Sequence, residues 1–333
     1  MDSEVTVENA ILVKGLVKKY KEVVALAGID FEVPVGTVFG LLGPNGAGKT
    51  TAIRILATVL RPDGGRAEVM GHDVSREPAA VRCNIGLAGQ SAAVDPNLTG
   101  WENLRMIGRL AQMRRAQVRP RADDLLEIFG LSDAANRPVR TYSGGMRRRL
   151  DVAAALMAQP PVIFLDEPTT GLDIQSRTEL WGRIRALVAE GSTVLLTTQY
   201  LEEADRLADR IAVVDAGLVV ANDTAAGLKA RLSGSVIEVG MGTPEKADRA
   251  EAVVSKLPGK LERVGVKLRV LTKEVPRVLT EVLRELEQAG LAPETLTVHE
   301  PSLDDVFLVI TGTHARSEAA AAAAAATEEG EGE

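Results

Sequence analysis

Gly43-Pro44-Asn45-Gly46-Ala47-Gly48-Lys49-Thr50-Thr51 decides how this chain folds. Its glycines at 43, 46 and 48 predict backbone conformations closed to residues with a Cβ, so that successive amide N–H groups turn inward around an anion. The apolar run Val38-Phe39-Gly40-Leu41-Leu42 just before it reads as a strand, and Ile53, Leu56, Ala57 and Leu60 fall at helical spacing just after. Strand, glycine loop and helix in that order aim the positive helix end at a phosphate. Lys49 then reaches the β and γ phosphates, and the Thr50 hydroxyl can ligate Mg²⁺.

Outward from this loop, residues 10 to about 232 read as strands alternating with helices. Val162–Leu165, Thr193–Thr197 and Arg210–Val214 are short apolar runs rich in β-branched residues, the pattern of strands buried on both faces. The prediction is an α/β domain with a mostly parallel sheet. A helical subdomain is expected as an insertion at about 95–160. Thr99-Gly100-Trp101-Glu102 has the spacing of a capping box at its first helix. A smaller α+β domain is expected over 234–312. There Val264, Val266, Leu268 and Val270 alternate with polar residues and glycine as in one strand, and Leu279, Val282, Leu283 and Leu286 follow Pro276 as one helix face ended by Gly290. Leu296 and Val298 suggest a further strand, and Ser302 with Asp305 caps a last helix carrying Leu303, Val306, Phe307 and Ile310. Residues 313–333, with a run of eight alanines (Ala319–Ala326) and acidic repeats, carry no large apolar side chain to bury and are expected to be disordered.

Composition narrows the classes. The apolar runs fall far short of the roughly 20 residues that cross a bilayer, and Met1-Asp2-Ser3-Glu4 lacks the features of an export signal. A cytoplasmic setting is expected. The single cysteine, Cys83, excludes an internal disulfide and any thiolate metal cluster, and reads as a small buried residue. With 39 basic and 46 acidic residues the net charge is -7, which argues against a nucleic-acid partner. Arg105, Arg109, Arg114, Arg115, Arg119 and Arg121 form a local cluster, either a solvated helix face or a contact for a partner subunit or anionic lipid headgroups.

Two more stretches carry chemistry. In Val162-Ile163-Phe164-Leu165-Asp166-Glu167-Pro168 a buried strand ends in adjacent carboxylates. Asp166 is delivered to the phosphate site to hold Mg²⁺, and Glu167 is placed to orient or deprotonate an attacking water. Thr141-Tyr142-Ser143-Gly144-Gly145-Met146 opens a helix with free amides and a hydroxyl, a second phosphate-binding helix end. One chain cannot easily aim two helix ends at a single γ-phosphate, whereas a second copy of the chain can.

These residues resemble the nucleotide-binding subunits of ATP-binding cassette (ABC) transporters over roughly 10–232. Residues 43–51 look like Walker A, the strand ending in Asp166-Glu167 like Walker B, and Ser143-Gly144-Gly145-Met146 like the signature loop. The resemblance implies that Gln90 touches Mg²⁺ and reports to a membrane subunit, that Tyr20 stacks on adenine, and that Gly171-Leu172-Asp173 crosses a dimer interface. Tyr20 is otherwise a surface aromatic. More narrowly, Thr141–Leu150, Leu196–Asp205 and Pro301–Leu308 resemble the daunorubicin-resistance type of exporter ATPase. That implies a P-loop ATPase fold, ATP and Mg²⁺ as ligands, a homodimer in the ATP-bound state, a multispanning permease partner, and residence on the cytoplasmic face of the membrane. Efflux of a hydrophobic drug or antibiotic is the expected role, with export of a lipid or polyketide product as the alternative. A soluble ABC ATPase acting on nucleic acid would need paired cassettes or long coiled coils, and a nucleotide kinase would leave Ser143 and Gln90 unexplained.

Two departures stand out. Most ABC ATPases carry histidine at the position of Gln199, where it contacts the γ-phosphate. Glutamine donates a hydrogen bond there but cannot become cationic. The drug-resistance subgroup resembles this chain in that respect, so Gln199 is retained with Glu167 and Lys49 as a catalytic candidate. Asn222-Asp223 replaces a common glycine turn with residues that tolerate the left-handed conformation.

Overall fold

The computed structural model describes residues 8–90, 93–232, 234–307 and 309. The expected tail at 313–333 and Ile310 lie outside the described residues. The chain divides into two compact units, Met1–Ala225 and Ala226–Glu333.

The first unit starts with β1 (Asn9–Tyr20) and β2 (Val23–Pro34), followed by β3 (Val38–Leu42), α1 (Lys49–Leu56), β4 (Gly64–Val69), β5 (His72–Asp73), α2 (Pro78–Cys83) and β6 (Ile85–Ala88). Helices α3 (Gly100–Leu110), α4 (Arg115–Ile128) and α5 (Gly144–Ala155) come next. Then β7 (Val162–Asp166), α6 (Ile174–Ala189), β8 (Thr193–Thr198), α7 (Leu201–Leu207), β9 (Arg210–Asp215) and β10 (Leu218–Asp223) complete the unit, and α8 (Ala225–Arg231) opens the second. The six-stranded sheet has the order β10-β9-β3-β8-β7-β6. All of its pairings are parallel except the antiparallel β9–β10 hairpin at one edge. Every residue of β3, β7 and β8 is buried, as expected for central parallel strands covered on both faces.

A second, antiparallel sheet, β2-β1-β4-β5, departs from the simple alternation of strands and helices. Register shifts between Val13 and Leu16 and again between Lys18 and Lys19 move the apolar phase of β1 midway, so no steady period of two survives in its sequence. This sheet packs on the parallel one through a shared core in which the Phe31 and Phe39 rings stack, centroids 5.4 Å apart. On the other face, Leu104 of α3 and Val118 and Leu125 of α4 join Leu150, Ile163 and Leu180 in a single core, so the helical segment is welded to the sheet. Thr99 and Glu102 form the reciprocal capping box. Helix α1 stops earlier than its apolar spacing suggests, at Leu56, because Thr58 turns to a φ of +62°. Cys83 is exposed, not buried, since Val81 is the residue of α2 that faces the core.

In the second unit, β11 (Ser235–Gly240), α9 (Pro244–Val254), β12 (Lys260–Val264), β13 (Lys267–Thr272), α10 (Val275–Gln288) and β14 (Thr295–His299) build an antiparallel sheet of order β12-β13-β11-β14. Its core joins Ile237, Val239, Leu268 and Val270 of the sheet to Ala247 and Ala250 of α9 and Val278, Val282 and Leu286 of α10. Two local expectations change. Val264 and Leu268 belong to different strands, because Gly265 at φ +61° turns the chain between them. The buried stripe of α10 is Val278, Val282 and Leu286, leaving Leu283 exposed. Ser302 caps a final turn by accepting from the Asp305 amide, while its own hydroxyl and amide donate to the Asp305 carboxylate.

Candidate nucleotide site

Strand β3 hands the chain to the glycine loop at Gly43. A Cβ on Gly43 would lie 2.1 Å from the Val214 carbonyl oxygen. Space, rather than a left-handed conformation, is what requires this glycine, whereas Gly46 and Gly48 do have positive φ values of +84° and +106°. Gly48 is the N-cap of α1; no side chain caps this end and no acidic residue occupies its first turn. First-turn amides left in this way suit an incoming anion. Asn45 and Gly46 line the adjoining cleft, and Ala47 is pinned by its amide on Pro44 and its carbonyl on the Gly217 amide.

Lys49 is 5% exposed, and its Nζ donates to the carbonyls of Gly43 at 2.7 Å and Pro44 at 2.9 Å. Burial pulls its amine below the ordinary lysine value, and the nearby carboxylates of Glu167 and Asp166 oppose that pull. Its Nζ lies 3.9 Å from Glu167 Oε1.

Asp166 ends β7 and is 3% exposed. Its Oδ1 accepts from Thr197 at 2.6 Å and from Thr50 at 3.1 Å. Gln90 Nε2 donates to the same Thr50 hydroxyl at 3.1 Å. The residues expected around Mg²⁺ thus meet in one cluster. A hydroxyl, an amide and a single carboxylate are hard oxygen donors, too few for a closed protein cage, and they fit a Mg²⁺ ion that also takes phosphate and water. Among the described residues no group of three His, Cys, Asp or Glu side chains could hold a metal without such help.

Glu167 follows with φ +49°. Its amide donates to the carbonyl and hydroxyl of Thr197, at 3.2 and 3.1 Å, and Thr170 donates to its Oε2 at 3.3 Å. Glu167, Gln199, Gln90 and Thr170 line one cleft of about 560 Å³. Gln199 and Glu167 thus share one cleft.

The remaining candidates stand elsewhere. Ser143 caps α5 by accepting from the Met146 amide at 3.2 Å, with Gly144 and Gly145 in the first turn. A Cβ on Gly145 would approach the Ser176 hydroxyl to 3.1 Å. Asp173 caps α6 through the Ser176 amide and hydroxyl. Tyr20 ends β1, 43% exposed, with Lys18 Nζ 5.7 Å above its ring. None of these lines the cleft of Glu167. Thr51 lies in the first turn of α1 behind Thr50.

Two residues that the sequence reading did not single out complete the site. Thr197 ties Asp166 to the Glu167 amide. Arg148, 8% exposed on α5, lines the cleft and donates to the backbone carbonyls of Asp166, Pro168 and Gly89. It hides within Arg147-Arg148-Arg149, where only the spacing to Asp151, one helical turn later, distinguishes it. Glu203 on α7 is fully buried as well, accepting from the Trp181 indole at 3.0 Å.

A glycine loop between a buried strand and an uncapped helix, with an acidic pair at the end of β7, one strand removed from β3 in the same parallel sheet, defines a P-loop nucleotide-binding domain. Residues 26–170 match the family model described as ABC transporter. Over 232 residues, 70% of this chain and 73% of the relative, the sequence is 59% identical to the daunorubicin resistance ATP-binding protein DrrA3 of Streptomyces coeruleorubidus. It is 57% identical over 231 residues, 69% of this chain and 70% of the relative, to the daunorubicin/doxorubicin resistance ATP-binding protein DrrA of Streptomyces peucetius. A solved dimeric ATP-binding cassette in a post-hydrolysis state, bound to ADP and Pi, superposes with a TM-score of 0.60 at 25% identity, over 64% of this chain and 98% of that one. This chain belongs to the ABC transporter family.

Proposed function

We propose that this chain is the ATP-hydrolysing subunit of an exporter that moves a hydrophobic drug or antibiotic through a separate membrane subunit. The observation that carries the reading is the meeting of Lys49, Thr50, Gln90, Asp166 and Glu167 at one helix end, in a chain most similar to drug-resistance ATP-binding proteins among the relatives compared above.

In this reading the loop amides from Asn45 to Thr51 and the Lys49 ammonium hold the triphosphate. Thr50, Gln90 and Asp166 hold Mg²⁺, which when bound neutralises charge on the phosphate oxygens. Glu167 accepts a proton from the attacking water, and Gln199 donates a hydrogen bond toward the γ-phosphate. Lys49, now folded onto loop carbonyls, turns outward when phosphate replaces them. Ser143, Gly144 and Gly145 of a second copy complete the cage, and Asp173 lies near that junction. Tyr20, exposed at the end of β1, offers a face for adenine. ATP then joins two copies, and hydrolysis removes that differential stabilisation. No helix among the described residues is long and apolar enough to cross a membrane; a multispanning permease would supply the path, with this chain peripheral on the cytoplasmic face of the membrane. The unit boundaries support an ATP-binding domain with its helical insertion, followed by a small accessory domain.

Glu167→Gln tests the reading. Turnover is expected to fall by about 10²-fold or more, in line with loss of a general base, while ATP binding persists and dimers accumulate on gel filtration. Cells carrying the variant with its membrane subunit should accumulate drug. Undiminished turnover, or a strictly monomeric chain at saturating ATP, overturns the mechanism; unchanged accumulation of every drug tested overturns the cargo.

A further inference from the structure

Arg148 sits inside one protomer yet touches three segments of the candidate site. Its Nε donates to the Pro168 carbonyl at 2.9 Å and its Nη2 to the Asp166 carbonyl at 2.8 Å, so it grips the backbone on both sides of Glu167. Its Nη1 donates to the Gly89 carbonyl, next to Gln90, and to Asp151 Oδ2 at 3.2 Å. Asp151, 1% exposed, accepts in turn from the Ala93 amide at 2.7 Å. One turn of α5 therefore holds Gly89 and Ala93 as well as the Glu167 loop.

The chemistry suits a guanidinium and no other cation. Its planar fork reaches acceptors in several directions at once, whereas an ammonium is a point charge on a flexible stem. Burying such a pair costs several kcal/mol unless every donor and acceptor is met. In the folded chain the guanidinium meets four acceptors, the carbonyls of Gly89, Asp166 and Pro168 and the Asp151 carboxylate, so displacing any of these segments would leave a buried donor unmet. Arg148 is also the fifth residue of α5, whose first turn carries Gly144 and Gly145 beside the Ser143 cap.

We propose that Arg148, steadied by Asp151, is a positioning residue that locks Glu167 and Gln90 to the helix whose end meets a second copy's nucleotide, so that each ATP site senses the occupancy of the other. The inter-site part rests on the dimer reading above; the locking part does not.

Two full-length variants test it. Arg148→Lys keeps the charge and loses the fork. Arg148→Met combined with Asp151→Asn removes the buried charges together, so that neither is left unpaired. In the nucleotide-free protein, hydrogen exchange at the amides of Ala93, Glu167 and Thr170 is expected to rise about tenfold or more in both variants, with the interior of β8 unchanged. With ATP, kcat should fall about tenfold or more while KM changes less than about threefold, the signature of lost positioning rather than lost binding. Unchanged exchange at those amides overturns the locking role, whatever the ATPase does. Faster exchange with wild-type kcat, or a loss confined to KM, overturns its link to turnover. If wild-type protein hydrolyses no ATP, the functional reading fails while the exchange result still decides the structural one.

Discussion

Gly48 meets two independent demands, a left-handed φ of +106° and a backbone oxygen, that of Ala25, 2.4 Å from where a Cβ would sit. Gly46, at φ +84°, has nothing within 4 Å. Both resist substitution, for unequal reasons. Gly46→Ala should lower stability by about 1 kcal/mol, the cost of the left-handed backbone alone. Gly48→Ala should cost more, about 1–3 kcal/mol from strain with the clash in addition, and thermal melting of the two variants should rank them so. A second expectation at this scale concerns Gln199. Because an amide does not titrate, the pH profile of turnover should show no step near the histidine value of about 6.5 from this position, and Gln199→His should add one. Identical rates and profiles for the two proteins would deny position 199 any role. The sequence named Lys49, Thr50, Asp166 and Glu167 because a glycine loop and an acidic strand end are local patterns. It passed over Thr197 and Arg148, whose contacts with Asp166 span 31 and 18 residues of chain.

Elements respond through their ends and their buried faces. The Thr99–Glu102 box closes the start of α3 with two reciprocal hydrogen bonds. Thr99→Ala should cost about 1 kcal/mol, measurable by urea titration, without altering ATP affinity. Helix α7 carries a pH-sensitive contact in Glu203. Burial raises this carboxyl above the ordinary 4.5, while the nearby Thr198 hydroxyl, the Trp181 hydrogen bond and the Arg177 charge pull the other way. The folded chain thus binds this proton more tightly than the unfolded chain does. The stabilisation is complete below pH 4.5 and is lost as pH rises through the folded value. Glu203→Gln, which cannot ionise, should lose less stability between pH 5 and 8 than wild type, at about 2–4 °C in Tm per kcal/mol of difference. Parallel melting curves across that range would refute the assignment. The parallel strands β3, β7 and β8 were legible as elements because burial on both faces leaves uninterrupted apolar runs. β1 was not, since its bulges shift the inward-facing phase midway.

Across the whole molecule, the two units carry separate cores: Phe39, Ile53 and Phe164 belong to the first, and Ile237, Val282 and Leu286 to the second. A chain ending at 232 should therefore keep a cooperative unfolding transition and its ATP affinity, and scanning calorimetry of the full chain should resolve two transitions. Loss of folding on truncation would show that the second core supports the first. The arginines that clustered in sequence prove heterogeneous: Arg105 lies over the Trp101 ring, Arg121 donates to the Leu156 carbonyl, and Arg109, Arg114 and Arg115 are exposed.

What the sequence determined by itself was local: the phosphate loop, the acidic strand end, the capping boxes and the central strands, each written in residues within one turn or one strand of each other. Tertiary structure alone decided how Thr50, Gln90 and Asp166 hydrogen-bond to one another, that Gly43 is needed for space and not for conformation, and that Arg148 reaches two other segments from inside a helix. Those outcomes depend on which atoms of distant segments arrive within about 3 Å of one another, and no periodicity along the chain encodes such an encounter.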